Sequence, residues 1–231
     1  MERLQLEKLE KEFKNISLEE VQKRIEKLRR RDLSDIDFKD LKELVRPLLV
    51  KCLVLGTTFP KHLPIFRSRI LERDQEIKSI SEISAPPVSD ETKINRASTG
   101  AMRIFYGSVS EKSENGDLGH VTTIFELSKI HNPNFSDPYE RIVIGQWFSE
   151  EDFTIATIGL DSDIAPNNKN AIKIKKDQQE IFKQIPGASE IVTPISKFMS
   201  DEFSKDVKES HEYKISAAYG ELLFLKHREF V

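Results

Sequence analysis

The spacing of apolar residues changes between residues 56 and 62, and that change limits the fold classes open to this chain. Before it, apolar residues recur at threes and fours: Leu6, Leu9, Phe13 and Ile16, then Leu18, Val21, Ile25 and Leu28, then Phe38, Leu41, Leu44, Val45 and Leu48. Such stripes belong to amphipathic helices. Ser17-Leu18-Glu19-Glu20 reads as a capping box opening the second stripe. Asp37 can cap the third, and Pro47 should kink it or start a new turn. After residue 62 the grammar is that of strands. "LPIFRSRIL" alternates, "AMRIFYGS" is a short apolar run closed by Gly107, and "YERIVIGQWF" and "FTIATIGL" read as a strand pair joined by residues 149–152. "VTTIFELSKI" fits strand by its β-branched residues and helix by Ile124, Leu127 and Ser128; helix is the expectation. Three further helices are expected toward the C-terminus, the first ending before Pro186-Gly187. Helices and strands intermix without regular alternation, so the class is α+β. The expected division is a helical region, 1–58, followed by a sheet domain, 59–231. The helical region reads as a hairpin packed on the main domain or on a second copy, or as a partner-binding or regulatory arm.

Composition narrows the chemistry. A chain of 231 residues can bury one good core and a smaller appendage. Its net charge of −3 gives no broad basic footprint, so nucleic acid is not an expected partner, although a local patch stays open. One cysteine, Cys52, makes no internal disulfide framework and suits a reducing cytosol. The N-terminus is charged from its second residue and lacks the apolar centre of a signal peptide; no apolar run approaches the ~20 residues of a membrane span. A cytoplasmic protein without membrane partners is expected. The five histidines are scattered at 62, 120, 131, 211 and 227 without metal-site spacing, so no metal is expected. The phosphate-loop, dinucleotide-fingerprint and serine-elbow motifs are all absent.

What remains is a set of polar residues at strand ends and on one helix. Arg67 and Arg69 stand two apart on a strand and so share a face. Arg96 sits in the turn before Gly100, Tyr106 ends the following strand, and Glu126 lies between Phe125 and Leu127. Taken singly, each has an ordinary explanation: surface arginines on an edge strand, a half-buried tyrosine, a salt-bridged surface glutamate. Glu126 is the least ordinary, since a carboxylate buried among apolar neighbours is costly unless it meets a cation.

Taken in order, "FRSR", "NRASTGAMRIFYGS" and "FEL" resemble the RES domain family, with the similarity running from residue 66 to "IATIGLDSD" at 163 and, with the helices behind it, covering most of 60–231. The family shows an arginine on its first strand, a Gly-Arg-x-Asn-x-x-Gly turn, a strand ending in Tyr-x-Ala/Ser, and a helix bearing glutamate. Arg67 matches the first arginine, with Arg69 behind it; Arg96 and Gly100 match the turn, Tyr106 the strand end and Glu126 the helix. Asn95 and Ser98 depart from the turn pattern, and the family's Tyr-Pro-Ser motif is absent. Ser216 lies in a segment with helical spacing and is not expected to be the family serine; the chain stops at Val231, about where the serine-bearing strand would begin.

The resemblance implies an ADP-ribosyltransferase-like mixed sheet flanked by helices. It also implies cleavage of NAD at the nicotinamide–ribose bond, by water or phosphate, often as the toxin of a bacterial toxin–antitoxin pair. Arg67, Arg69, Arg96 and Tyr106 would hold NAD, and Glu126, Tyr106 and Arg67 would act on it. Arginine forks suit a pyrophosphate, and a carboxylate suits an oxocarbenium-like transition state. NAD is then substrate, an antitoxin protein and a second copy of the chain are candidate partners, and a catalytically silent NAD-binding or interaction module is the alternative.

Overall fold

The computed structural model describes residue 13 and residues 17–50, 56–85, 94–97, 99, 102, 104–109, 112–113, 116–117, 119–128, 139–156, 158, 169–207 and 209–228. It is of mixed α+β class. The chain forms two compact units, one from residues 1–57, 90–102 and 156–231, the other from 58–89 and 103–155. The chain divides at 57/58, near the expected 58, but residues 90–102 and the C-terminal helices within 156–231, expected in the sheet domain, group with the N-terminal helices. Both sets carry apolar stripes that need covering, and each covers the other.

In the first unit, Ser17 takes an extended conformation and its hydroxyl accepts from the Glu20 N–H at 3.5 Å, opening helix α1, Leu18–Arg29. Asp37 accepts from the Lys39 N–H at 2.7 Å and opens α2, Phe38–Val50, which runs on through Pro47. Helices α4, Lys169–Gln184, α5, Ala188–Ser204, and α6, Lys214–Arg228, complete the unit. Val21, Ile25 and Leu28 of α1 meet Leu41, Val45 and Leu48 of α2 and Val192, Ile195, Phe198 and Tyr219 of α5 and α6 in one buried cluster. Each such side chain contributes roughly 1.5–3 kcal/mol by leaving water. Phe13 is buried with them; Leu6, Leu9 and Ile16 lie outside the described residues. Polar ties fix the arrangement. Lys214 donates to the carbonyls of Leu33 and Ile36 at 2.6 and 2.9 Å, and Lys42 pairs with Glu221, which also accepts from Thr99 at 3.3 Å.

The second unit is built on strand β2, Pro64–Leu71. It pairs antiparallel with β6, Arg141–Phe148, from Pro64↔Phe148 to Leu71↔Arg141, and with the short β3, Ser108–Val109, on its other edge. Strands β4, Lys112–Ser113, and β5, Gly116–Asp117, form a small hairpin, and helix α3, Gly119–Leu127, follows them. Strand β7, Phe153–Ala156, pairs with β1, Gly56–Phe59. The expected β6–β7 hairpin is thus corrected. Both strands exist, but each takes its partner from the 56–71 segment. Ser149 and Asp152 receive N–H donors from His62 and Lys61 at 2.9 and 2.8 Å, so the two turns lie against each other. Beyond them Thr58 faces Thr154 at 3.0 Å and Phe59 stacks on Phe153. These are the pairs that the β2–β6 register gives when carried onward, so one antiparallel ribbon continues across a break.

Candidate functional site

Four of the five candidate residues belong to the sheet unit, and alternation on β2 sorts them. Phe66 and Ser68 face α3: the Phe66 ring meets His120 edge-on at 5.9 Å, and Ser68 bonds the Thr123 hydroxyl. Arg67 and Arg69 share the opposite face, as their spacing requires. Arg67 stands across from Gly145 of β6. Its guanidinium donates to the Tyr106 carbonyl at 2.9 Å and lies 5.3 Å from the Phe105 ring centroid. Phe105 in turn meets Trp147 edge-on at 5.0 Å. Trp147 lies back over Gly145, where a Cβ would fall 2.3 Å from the ring and 3.2 Å from Ile83, so the close approach requires glycine.

Arg67 is half-buried, and its pKa is depressed, first by loss of water and then by the like charge of Arg69; Tyr106 and Glu126 act in the opposite sense. A guanidinium does not release its proton in a protein. The depression therefore describes a cation partly stripped of water beside another cation, with a phenol and a carboxylate in its field. An anion reaching it would restore what burial removed.

Tyr106 is half-buried, but it does not end a strand. Residues 104–107 are irregular, and pairing begins only at Ser108, a correction with a visible cause. At Gly107 the chain passes so close to β2 that a Cβ would lie 2.5 Å from Ile65 Cγ2, and the Arg67 side chain takes the Tyr106 carbonyl that a ladder would have used. Arg69 is exposed and donates to the Glu82 carbonyl, closing the 3-10 turn Ile80–Ile83. Glu126 lies on α3, as expected of a helix there, and is exposed. The burial that singled it out does not occur. Neighbours in sequence point about 100° apart on a helix, so Phe125 and Leu127 do not enclose it. Arg96 belongs to the other unit, where its guanidinium lies 5.8 Å from the Tyr213 ring centroid. Gly100, Ser98 and Arg103 lie outside the described residues.

Ser216 is fully buried on α6 and donates to the Tyr213 carbonyl at 3.1 Å, one turn back, in the helical position its neighbours' spacing indicated. Among the described residues there is no group of three or more His, Cys, Asp or Glu able to hold a metal ion, and no helix long and apolar enough to cross a membrane. Phe105, Gly145 and Trp147 were not singled out by their sequence. The available signal was Gly145-x-Trp147 on a strand, which puts a ring over a vacant Cβ.

No protein-family model, no curated protein and no solved structure matches this chain.

Proposed function

We propose that the chain is an NAD-cleaving enzyme of the RES type, a glycohydrolase or phosphorylase with an ADP-ribosyltransferase-like sheet. One observation carries the reading. The Arg67 guanidinium is half-buried, fixed by the Tyr106 carbonyl and the Phe105 ring, and shares its electrostatic field with Arg69, Tyr106 and Glu126. In this reading Arg67 and Arg69 take the pyrophosphate oxygens, since a bidentate guanidinium–phosphate pair returns hydrogen bonds lost on burial. Tyr106 offers its ring to nicotinamide and its hydroxyl to ribose. Glu126 stabilises the positive charge that develops on the ribose as the C–N bond opens; water or phosphate then completes the anomeric carbon, and nicotinamide leaves neutral. The biological role would be depletion of NAD in the cytoplasm as a toxin or defence effector, restrained by an antitoxin protein.

The test is incubation with NAD, with and without phosphate, and identification of products. Free nicotinamide with ADP-ribose supports hydrolysis, and a phosphorylated ADP-ribose formed only with phosphate supports phosphorolysis. NAD left intact at a saturating concentration overturns the reading. The exposure of Glu126 favours a second one, an NAD-binding module without turnover, which predicts NAD binding by calorimetry and no nicotinamide.

A further inference from the structure

Six of the nine residues from Lys23 to Arg31 are Lys or Arg and one, Glu26, is acidic, in a chain whose net charge is −3. Helix α1 turns Val21, Ile25 and Leu28 into the core, which leaves Lys23, Lys27 and Arg30 along its outward face, with Arg31 just past its end. Arg24, Arg29 and Arg30 are held by Glu20, Asp201 and Glu26. Among the described residues Lys23, Lys27 and Arg31 make no ion pair. A groove lies on each flank of the helix. Toward α2, one of about 250 Å³ has Lys23, Arg24 and Lys27, with Glu20 pairing Arg24, over Leu28 and Leu44. Toward α5, one of about 480 Å³ has Arg29, Arg30 and Lys197, with Gln22 and Glu26, beside Ile25 and Pro194. Cations in the last helical turn answer the helix dipole, which accounts for Lys27 and Arg29 but not for Lys23.

We propose that the outward face of α1 is a docking surface for the phosphodiester backbone of a nucleic acid, bound without regard to sequence. The face carries no apolar residue. Protein interfaces centre on aromatic and aliphatic anchors and are depleted in lysine, so a protein partner fits poorly. A membrane-surface helix needs its apolar side free, and here that side is in the core. A polyanion needs only the charges. Lys23, Lys27 and Arg30–Arg31 follow one another at about 4.5–6 Å along the helix axis. These steps lie between one and two repeats of a strand's charges, which follow at about 3.4 Å along the duplex axis, so neighbouring cations can meet different phosphates. The near-neutral total charge of the chain averages over this face and hides it.

The experiment titrates the full chain against a fluorescent duplex of mixed sequence, then against an unrelated one, between about 50 and 200 mM salt. Both duplexes should bind alike, with dissociation constants of roughly 10⁻⁴–10⁻⁶ M and a steep weakening with salt. The triple variant Lys23→Gln/Lys27→Gln/Arg31→Gln removes cations that hold no ion pair, so circular dichroism should show the helices intact. It should lower affinity at least about tenfold and flatten the salt slope by about 3, one for each phosphate that no longer meets a cation. The three single variants should each carry about a third of that change, which keeps the test valid if the triple variant unfolds. Lys173→Gln/Lys176→Gln on α4 is the control and should leave binding unchanged. The proposal is overturned if the chain binds no nucleic acid at low salt, if the α4 control weakens binding as much as the triple variant, if the triple variant binds as the native chain does, or if only phosphatidylserine vesicles are bound.

Discussion

The helical unit and the sheet unit are made from one chain, yet they spend their apolar residues differently. Every buried hydrophobic residue described lies in the helical unit except Phe66 and Ile83. The sheet unit instead exposes Phe125 at 68%, Phe148 at 56% and Ile144 at 39%. A three-stranded sheet with one helix on it has little interior to fill, and such small sheets draw modest stability from burial. The helical unit has several layers meeting at one cluster. The lesson is a division of labour: the unit that holds Arg67, Tyr106 and Glu126 is the less deeply buried one, and regions that bind and move are drawn from the less stable end of a structure.

The chain's one tryptophan, Trp147, lies in the sheet unit, so its fluorescence reports that unit while helical circular dichroism reports mainly the other. In urea the fluorescence transition should come first; coincident transitions would break the comparison. The largest effect is expected in the helical core. Phe198→Ala should cost about 3–5 kcal/mol, read from the helical transition, because it opens a cavity among fully buried neighbours. An equally large shift in the tryptophan transition alone would contradict the assignment of Phe198 to that unit.

Next comes Glu126→Ala. It should slow nicotinamide release on the order of a hundredfold while leaving the urea transitions in place, since the side chain is exposed and is assigned to the transition state. Ser216→Ala, in the other unit, should leave turnover nearly unchanged. Activity abolished by Ser216→Ala and kept with Glu126→Ala would reverse the assignment. Gly145→Ala should follow, at about 1–3 kcal/mol, because the new methyl meets the Trp147 ring and must displace it. It should shift the fluorescence spectrum and the first transition only.

The smallest effect concerns Glu202, buried on α5 with one oxygen lacking a hydrogen bond and Lys205 at 3.7 Å. Burial raises its carboxyl above the ordinary range, Lys205 and Arg29 oppose that, and Asp201 adds to it. A raised folded value means the folded chain holds the proton more tightly than the unfolded chain. Its contribution to stability is therefore complete below the unfolded value and is lost as pH rises through the folded one. Glu202→Gln should raise stability at neutral pH by about 1 kcal/mol, because it removes the desolvated negative charge while keeping the side chain's shape. That gain should close as pH falls toward 4.5, the ordinary value for the group. A gain independent of pH would place its cause elsewhere.

Much of the fold was legible because it is local. Threes-and-fours spacing marks α1 and α2 with their caps at Ser17 and Asp37, and alternation marks β2. Pairing was less legible. Four polar residues between two apolar runs read as a hairpin turn, but β6 and β7 find β2 and β1 roughly eighty and a hundred residues earlier in the chain, through a register that no local signal states. The site was legible to the extent that Arg67, Arg69, Tyr106 and Glu126 share a unit. Two features lay outside any one-dimensional reading: the irregular approach to Tyr106, imposed by the crowding at Gly107, and the exposure of Glu126, decided by which side of α3 meets the sheet.

Lys42 and Glu221, whose ion pair joins α2 to α6, stand 179 residues apart. At a synthesis rate of about 5–20 residues per second, the second partner follows the first by roughly 10–35 s. During that interval α1 and α2 have left the ribosome without the helices that cover them, while the whole of the sheet unit has emerged in between. The sheet unit can fold on local timing. The helical unit cannot close over α2 until α6 arrives, so the α2 stripe is the surface a chaperone would meet. Truncation after residue 213 would leave α2 without its main cover, while α5 could still pack on α1.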